Sequence, residues 1–198
     1  MAQAPLTAEE LAEIERKFDP ESAFRSTGPW IGAVITAGLV AMSVYHFYAS
    51  GFALIQELTH RGIHLSFVLG LVFLLFSWRK SLSTDIAPRA WYRVDGVPIT
   101  DILLALLGIG AAMYLPLLPS AALAQRVGNP SPGDVFMGTA LLLLTLEASR
   151  RSVGITLPLI GLAFIGFALF GPYMPGALKH GGASWSGLIN HLYMTNQG

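Results

Sequence analysis

Long apolar runs are the feature that most constrains the fold of this chain. Of its 198 residues, 53% are hydrophobic and only 12% are charged, whereas a soluble domain averages about 25% charged residues. A helix needs about 20 apolar residues to cross a bilayer, with a lower limit of roughly 17, and it satisfies its own backbone hydrogen bonds in lipid. The segments that suit this role are residues 30–50, 62–78, 99–118, 134–149 with their flanks, and 153–173. The sequence therefore predicts an all-α integral membrane protein with about five transmembrane helices.

The distribution of basic residues predicts the orientation of these spans, because lysine and arginine favour the cytoplasmic side of a membrane. With a cytoplasmic N-terminus, Arg61, Arg126 and Lys179 fall outside. The other nine of the twelve basic residues then fall inside, namely Arg16, Lys17, Arg25, Arg79, Lys80, Arg89, Arg93, Arg150 and Arg151. This bias places the C-terminal tail on the outer side, which is the periplasm in a Gram-negative bacterium. The first 28 residues are polar and acidic, unlike a cleavable signal, so we expect the first span to remain in the mature protein.

Two amphipathic stretches predict short helices at the membrane surface. In residues 7–18, Thr7 and Glu10 have the spacing of a capping box and begin a helix with a narrow apolar stripe. In the tail, apolar residues recur at helical spacing: Trp185, Leu188, Ile189, Leu192 and Tyr193. This second face is typical of a C-terminal interfacial helix, and it would equally suit packing on a partner.

Three histidines near the predicted outer interface have two interpretations. His60 and His64 are four residues apart, so one helix presents both, and His46 near the end of the first span supplies a third. Histidines from two helices at matching depth are typical of a haem-binding membrane protein. Aromatic residues surround His46, however, and Arg61 lies between the other two, which favours simple anchoring of the helix ends.

Carboxylates at the ends of spans also have a functional and a structural interpretation. Glu147 lies within the fourth span, where an acid can relay protons or bind sodium. Arg150 and Arg151 follow at helical spacing, which favours an interfacial ion pair instead. Asp101 and Asp134 each begin a span, where the helix dipole favours negative charge, so we expect both to cap their helices.

The sequence predicts no catalytic, cofactor-binding, substrate-binding or metal-binding residues. The chain has no cysteine, which excludes disulfides and thiolate sites. The stretch Gly182–Gly187, GASWSG, offers Ser184 and Ser186, but it fails the G-x-S-x-G pattern of serine hydrolases. A formal charge of zero without a basic stripe argues against a nucleic-acid partner. We therefore expect a protein that is not an enzyme.

In order along the chain, several motifs carry a resemblance to a known family. They are YHFYASGF, RGIHLSFVLGLVFLLF, PITDILLALLGIGAAMYL, LEASRR at the end of the fourth span, LFGPYMPG at the end of the fifth, and HLYMTNQG. With these motifs the chain resembles the start of a fused permease of the TRAP transporters, tripartite secondary transporters that use an extracytoplasmic solute-binding protein. It is most similar to the TAXI type. The similarity covers nearly everything after about residue 29.

The resemblance implies three regions. Residues 1–28 would be a cytoplasmic amphipathic segment, residues 29–151 a four-helix region like the small membrane subunit, and residues 152–198 the fifth span and the start of the large permease region. In this family the large region contains the ion and substrate sites, and we expect the chain to be truncated before them, as a fragment, a truncated product or a split subunit. The implied function is a membrane scaffold in the bacterial inner membrane for the ion-driven uptake of organic anions such as dicarboxylates.

Overall fold

The computed structural model describes residues 24–78 and 92–195, and this part of the chain is mostly helical. The elements, in chain order, are α1 Pro29–Gly51, α2 Glu57–Leu75, β1 Arg93–Val94, β2 Val97–Pro98, α3 Ile99–Tyr114, α4 Ser120–Arg126, α5 Pro132–Ser152, α6 Thr156–Leu169 and α7 Trp185–Ile189. The 3₁₀ turns Gly171–Tyr173 and Gly176–Leu178 follow α6, and a π-helical turn, Asn190–Met194, continues α7. The predicted N-terminal helix and the basic residues Arg79, Lys80 and Arg89 lie outside the described residues.

Two of the described helices are long and apolar enough to cross a membrane: α1, with 23 residues, and α2, with 19. Helices α3 and α6 are apolar but shorter. Helix α5 has 21 residues and carries four charged side chains, Asp134, Glu147, Arg150 and Arg151. Each predicted span thus contains a helix, and the arrangement of five crossings stays a prediction.

Helices α1 and α2, joined by residues 52–56, run in opposite directions, and so do α5 and α6, joined by residues 153–155. Helices α2 and α3 form the closest pair: a Cβ built on Gly62 would lie 2.8 Å from the carbonyl oxygen of Ala112, and one on Gly108 would lie 2.9 Å from Cβ of Leu69. Such small residues let two helix backbones approach each other. Phe73, Leu69 and Leu144 are buried where α2, α3 and α5 meet.

This packing gives the bundle two polar ends. We call one the arginine end, where Arg25, Arg93, Arg150 and Arg151 lie, and the other the histidine end, where His46, His60 and His64 lie. The hairpin of β1 and β2 belongs to the arginine end. Its turn residues Asp95 and Gly96 both have positive φ, 51° and 89°, as the tight Asp-Gly hairpin turn requires.

The Asp95 carboxylate caps α1 from outside the helix. The carboxylate Oδ2 accepts the backbone N–H of Ile31 at 2.8 Å. The backbone carbonyl oxygen of Asp95 accepts the N–H of Gly28 at 2.9 Å. The first N–H groups of a helix have no partner within it. The hairpin therefore fixes the start of α1.

The structure corrects several predicted boundaries. Helix α2 begins at Glu57 and ends at Leu75, whereas residues 62–78 were predicted, because the polar first turn also adopts helical geometry and Phe76 pairs with Phe24 in a β-bridge. Helix α3 ends at Tyr114, before Pro116, which lacks the N–H a helix needs. Helix α6 begins only at Thr156, after Gly154 with φ 106°.

The predicted C-terminal helix is present, but most of its apolar face packs on the rest of the bundle. Residues 185–194 do form helical turns, but Leu188, Ile189, Tyr193 and Met194 are buried against the chain itself. Gly138 of α5 makes this docking possible, since a Cβ there would lie 2.5 Å from Ile189. Three of the five residues of that face, Leu188, Ile189 and Tyr193, thus belong to the bundle core, while Trp185 and Leu192 stay exposed.

Candidate functional site

A buried cluster of charges holds the arginine end together, and Asp101 lies at its centre. Asp101 is in the first turn of α3, and its side chain is 5% exposed. Its Oδ2 accepts a hydrogen bond from Arg25, and its Oδ1 accepts one from Nη1 of Arg151 at 2.9 Å. One carboxylate therefore joins the segment before α1 to helices α3 and α5.

Glu147 extends the cluster along α5. Its Oε1 accepts from Nε of Arg151 at 2.7 Å, and its two oxygens accept from Nε and Nη2 of Arg150 at 2.7 and 2.8 Å. The predicted ion pairs of Glu147 are thereby confirmed. The Cζ atoms of Arg150 and Arg151 lie 4.6 and 5.4 Å from the ring centroid of Trp78, where cation–π attraction operates.

The predicted role of Asp101 as a simple cap needs correction. The first turn of a helix does favour negative charge. The carboxylate of Asp101, however, accepts hydrogen bonds from Arg25 and Arg151, which are 76 and 50 residues away in sequence. Sequence reasoning missed this cluster because only its Glu147 branch has local spacing. The only sign of the cluster in the sequence was that Arg25 and Arg151 lie at the predicted inner ends of spans.

Asp134 at the other end of the bundle has the predicted capping role. Its N–H donates to Oγ of Ser131, and its Oδ2 accepts the N–H of Ser131, which together form a capping box at the start of α5. Its Oδ1 also accepts from the hydroxyl of Tyr114 at 3.0 Å and lies 3.3 Å from Nη1 of Arg126. The prediction that Asp134 caps its helix is confirmed.

The three histidines do come together at the histidine end. Nε2 of His46 and Nδ1 of His64 are 2.9 Å apart, and Nδ1 of His46 lies 2.7 Å from the carbonyl oxygen of Met42. Nδ1 of His60 shares a hydrogen bond of 3.0 Å with the hydroxyl of Tyr45. Helix α1 is thus tied to α2 by polar contacts between aromatic and imidazole rings.

The contact between His46 and His64 has the geometry of a direct hydrogen bond. An iron with two axial imidazoles at about 2 Å each holds their nitrogens about 4 Å apart, and a tetrahedral zinc holds them about 3.3 Å apart, whereas those of His46 and His64 are 2.9 Å apart. Among the described residues, no group of three or more His, Asp or Glu side chains is arranged to hold a metal ion. The arrangement suits the anchoring of one helix on another.

Arg61 and Tyr193 dock the C-terminal segment. Nη2 of Arg61 donates to the carbonyl oxygens of Tyr193 and Thr195, both at 3.1 Å, so it neutralises the end of the last helical turn. The hydroxyl of Tyr193 donates to the carbonyl oxygen of Ala111. Burial raises the pKa of the Tyr193 hydroxyl, and the charge of nearby Asp134 acts in the same direction.

Ser184 of the GASWSG stretch has a structural partner. Oγ of Ser184 accepts the N–H of Gly187 at 3.1 Å and caps α7, and the indole N–H of Trp185 donates to Thr139 on α5 at 3.0 Å. This arrangement fixes the start of α7 on the bundle and gives Ser184 the role of an N-cap.

Comparisons of the chain with known family models, with curated proteins and with solved structures found no match.

Proposed function

We propose that this chain is a membrane scaffold segment of a tripartite secondary transporter of the TRAP class, TAXI type. In this role it embeds in the bacterial inner membrane as five crossings with its N-terminus in the cytoplasm. It braces a large permease region that moves organic anions such as dicarboxylates along an ion gradient, and an extracytoplasmic solute-binding protein delivers the solute. The chain alone does not transport.

The observation that carries this proposal is the exposed apolar surface of the two outermost helices. Of the described side chains of α1, only Ile35 is buried, while Val40, Val44 and Phe47 are 57%, 61% and 73% exposed. In α6, Phe164 is 69% exposed. Apolar faces of this extent belong in lipid or against a partner, and two of them give the bundle both a lipid-facing and a partner-facing side.

The polar contacts support a static role. The charges of Arg25, Asp101, Glu147 and Arg151 pair with one another, which ties elements together at the arginine end. A moving transport path instead places its polar groups on broken helices around a central site. A bundle fastened at both ends suits the stationary part of a transport machine.

Uptake measurements test the proposal. The purified chain, reconstituted alone in proteoliposomes, should accumulate no labelled succinate under an inward sodium or proton gradient. The chain should also purify in a fixed ratio with a large TRAP permease polypeptide when both are produced together, as mass spectrometry would identify. Robust succinate accumulation by this polypeptide alone would contradict the scaffold role.

A haem-binding redox protein is the second candidate, and its supporting observation is the convergence of His46, His60 and His64. The hydrogen bond between His46 and His64 weighs against it. A Soret band in the purified protein that disappears in the His46→Ala and His64→Ala variants would establish this candidate instead. A colourless preparation would discard it.

A further inference from the structure

We propose that the arginine end binds a phosphate group, supplied by the headgroup of an anionic phospholipid. A cavity of about 360 Å³ opens there between the segment before α1, the hairpin and helices α3 and α5. This volume lies within the range of small-ligand sites. Its lining includes Arg25, Arg93, Trp78, Asp101, Leu104 and Arg151.

The described charges around this cavity do not balance. Three arginines, Arg25, Arg93 and Arg151, line it with a single carboxylate, that of Asp101. Glu147, the next carboxylate, is shared between Arg151 and Arg150. The other nearby carboxylate, that of Asp95, is used at the start of α1. Removing charge from water is costly unless an opposite charge accompanies it, so the excess positive charge favours an anionic ligand.

Unused hydrogen-bond donors point to the same ligand. Nη1 of Arg25, Nε of Arg93 and Nη2 of Arg151 are buried, and none has a partner among the described residues. The side chains of Arg25 and Arg151 are 6% and 0% exposed, so water does not reach them freely. Guanidinium groups match the oxygens of a phosphate with paired N–H donors, and a phosphate offers enough acceptors for all three.

The position of the cavity favours a lipid as the source of the phosphate. Trp78 is 57% exposed beside it, and tryptophan is typical of the headgroup level of a membrane. Leu104 supplies an apolar wall toward the middle of the bundle, where an acyl chain would lie. Basic pockets between helices on the cytoplasmic side bind phospholipid headgroups. The lipid source rests on the proposed membrane location, whereas phosphate binding itself does not.

Thermal unfolding of the purified full chain in dodecyl maltoside, together with native mass spectrometry, tests this inference. The probes are dioleoylphosphatidylglycerol, dioleoylglycerol with the same acyl chains and no phosphate, and sodium phosphate against sodium chloride at equal ionic strength. Dioleoylphosphatidylglycerol should raise the unfolding temperature by several degrees and remain bound in the gas phase. Dioleoylglycerol should do neither.

Two variants connect the effect to the cavity. Arg93→Gln removes one positive charge without breaking an ion pair of Asp101, and it should weaken lipid binding about fivefold, as expected for one basic residue at an anionic surface. Lys179→Gln removes one charge at the histidine end and should leave binding unchanged. Thr100→Glu places a carboxylate at the cavity and should abolish the response to lipid while stabilising the lipid-free protein.

The outcomes are distinct. An equal response to millimolar sodium phosphate, weakened in Arg93→Gln, supports the phosphate site with a free anion as its source. The proposal is overturned if neither phosphate probe stabilises the protein, or if Arg93→Gln and Lys179→Gln weaken binding alike. If carboxylates outside the described residues neutralise the arginines, neither phosphate probe will stabilise the protein. The uptake test of the scaffold role is independent of all these results.

Discussion

Arg151 on α5 donates from Nη1 to Oδ1 of Asp101 on α3 at 2.9 Å, and both side chains are buried. Asp101 also accepts from Arg25, so two guanidinium groups share a single carboxylate. A buried ion pair adds little net stability, but removing one partner leaves an unpaired charge inside the protein. The stability of the arginine end therefore depends on Asp101 more than on any surface charge.

Asp101→Asn should strongly destabilise the protein. The substitution keeps the shape of the side chain but removes the charge that two buried arginines share, and a loss of this kind costs about 3–5 kcal/mol. Thermal unfolding in detergent, followed by tryptophan fluorescence, should show a clear fall in the unfolding temperature.

Glu147→Gln is the matched control for that experiment. The Glu147 side chain is 21% exposed, so water screens the loss, and we expect a smaller effect of about 1 kcal/mol. If both variants unfold at the same temperature, the central role of Asp101 is wrong.

Local spacing explains which parts of the site could be predicted from the sequence. Glu147 and Arg151 are four residues apart and meet on one helix face, as predicted. The capping role of Asp134 was also local. The pairing of Asp101 with Arg25 and Arg151 depends on how three distant segments pack, and no spacing along the chain contains that information.

The same reasoning applies to the fold. Apolar length predicted the positions of the helices, while their exact ends depend on backbone events such as the β-bridge of Phe24 with Phe76. The docking of the C-terminal segment was missed because an amphipathic face is equally suited to lipid, to a partner and to the chain itself. Gly138 lets the segment pack on the chain itself, and nothing in the sequence around this glycine indicates that role.

Gly138→Ala should loosen the C-terminal segment. The added Cβ would lie 2.5 Å from Cγ2 of Ile189 and 2.7 Å from Cδ1 of Tyr193, so residues 185–194 must move away from α5. Overpacking of this kind costs about 1–3 kcal/mol. Limited proteolysis should cut the tail of the variant faster than that of the parent protein.

Gly110→Ala provides the control, because a Cβ there meets no described atom within 4 Å. This change should stabilise α3 slightly, since alanine is the better helix former. Equal cleavage of the tail in both variants would contradict the close packing at Gly138.

Single cysteines test the predicted orientation, and the absence of native cysteine makes the labelling clean. Leu54, between α1 and α2, and Val153, after α5, are 108% and 72% exposed at opposite ends of the bundle. In intact cells a membrane-impermeant maleimide should label Leu54→Cys. Val153→Cys should react only after the membrane is opened. The reverse pattern would overturn the cytoplasmic N-terminus, and labelling of both in intact cells would contradict the membrane-spanning bundle.

Alkaline pH should weaken the docking of the C-terminal segment through Tyr193. Burial raises the pKa of this hydroxyl above its ordinary value of 10.0, so folding favours the protonated form. Below about pH 10 the hydroxyl is neutral in both states and its contribution is fully present. As pH rises beyond that value, the unfolded chain releases the proton first, and stability is lost progressively toward the folded pKa.

Tyr193→Phe lacks both this proton and the bond to Ala111, so it should unfold more easily at pH 8 by about 1 kcal/mol.

The difference between the parent protein and Tyr193→Phe should therefore shrink between pH 10 and 11. Unfolding temperatures measured from pH 8 to 11 give this comparison directly. Tyr173→Phe, at a side chain that is 85% exposed, corrects for the removal of a tyrosine. A constant difference across the whole range would show that the buried hydroxyl does not link the C-terminal segment to pH.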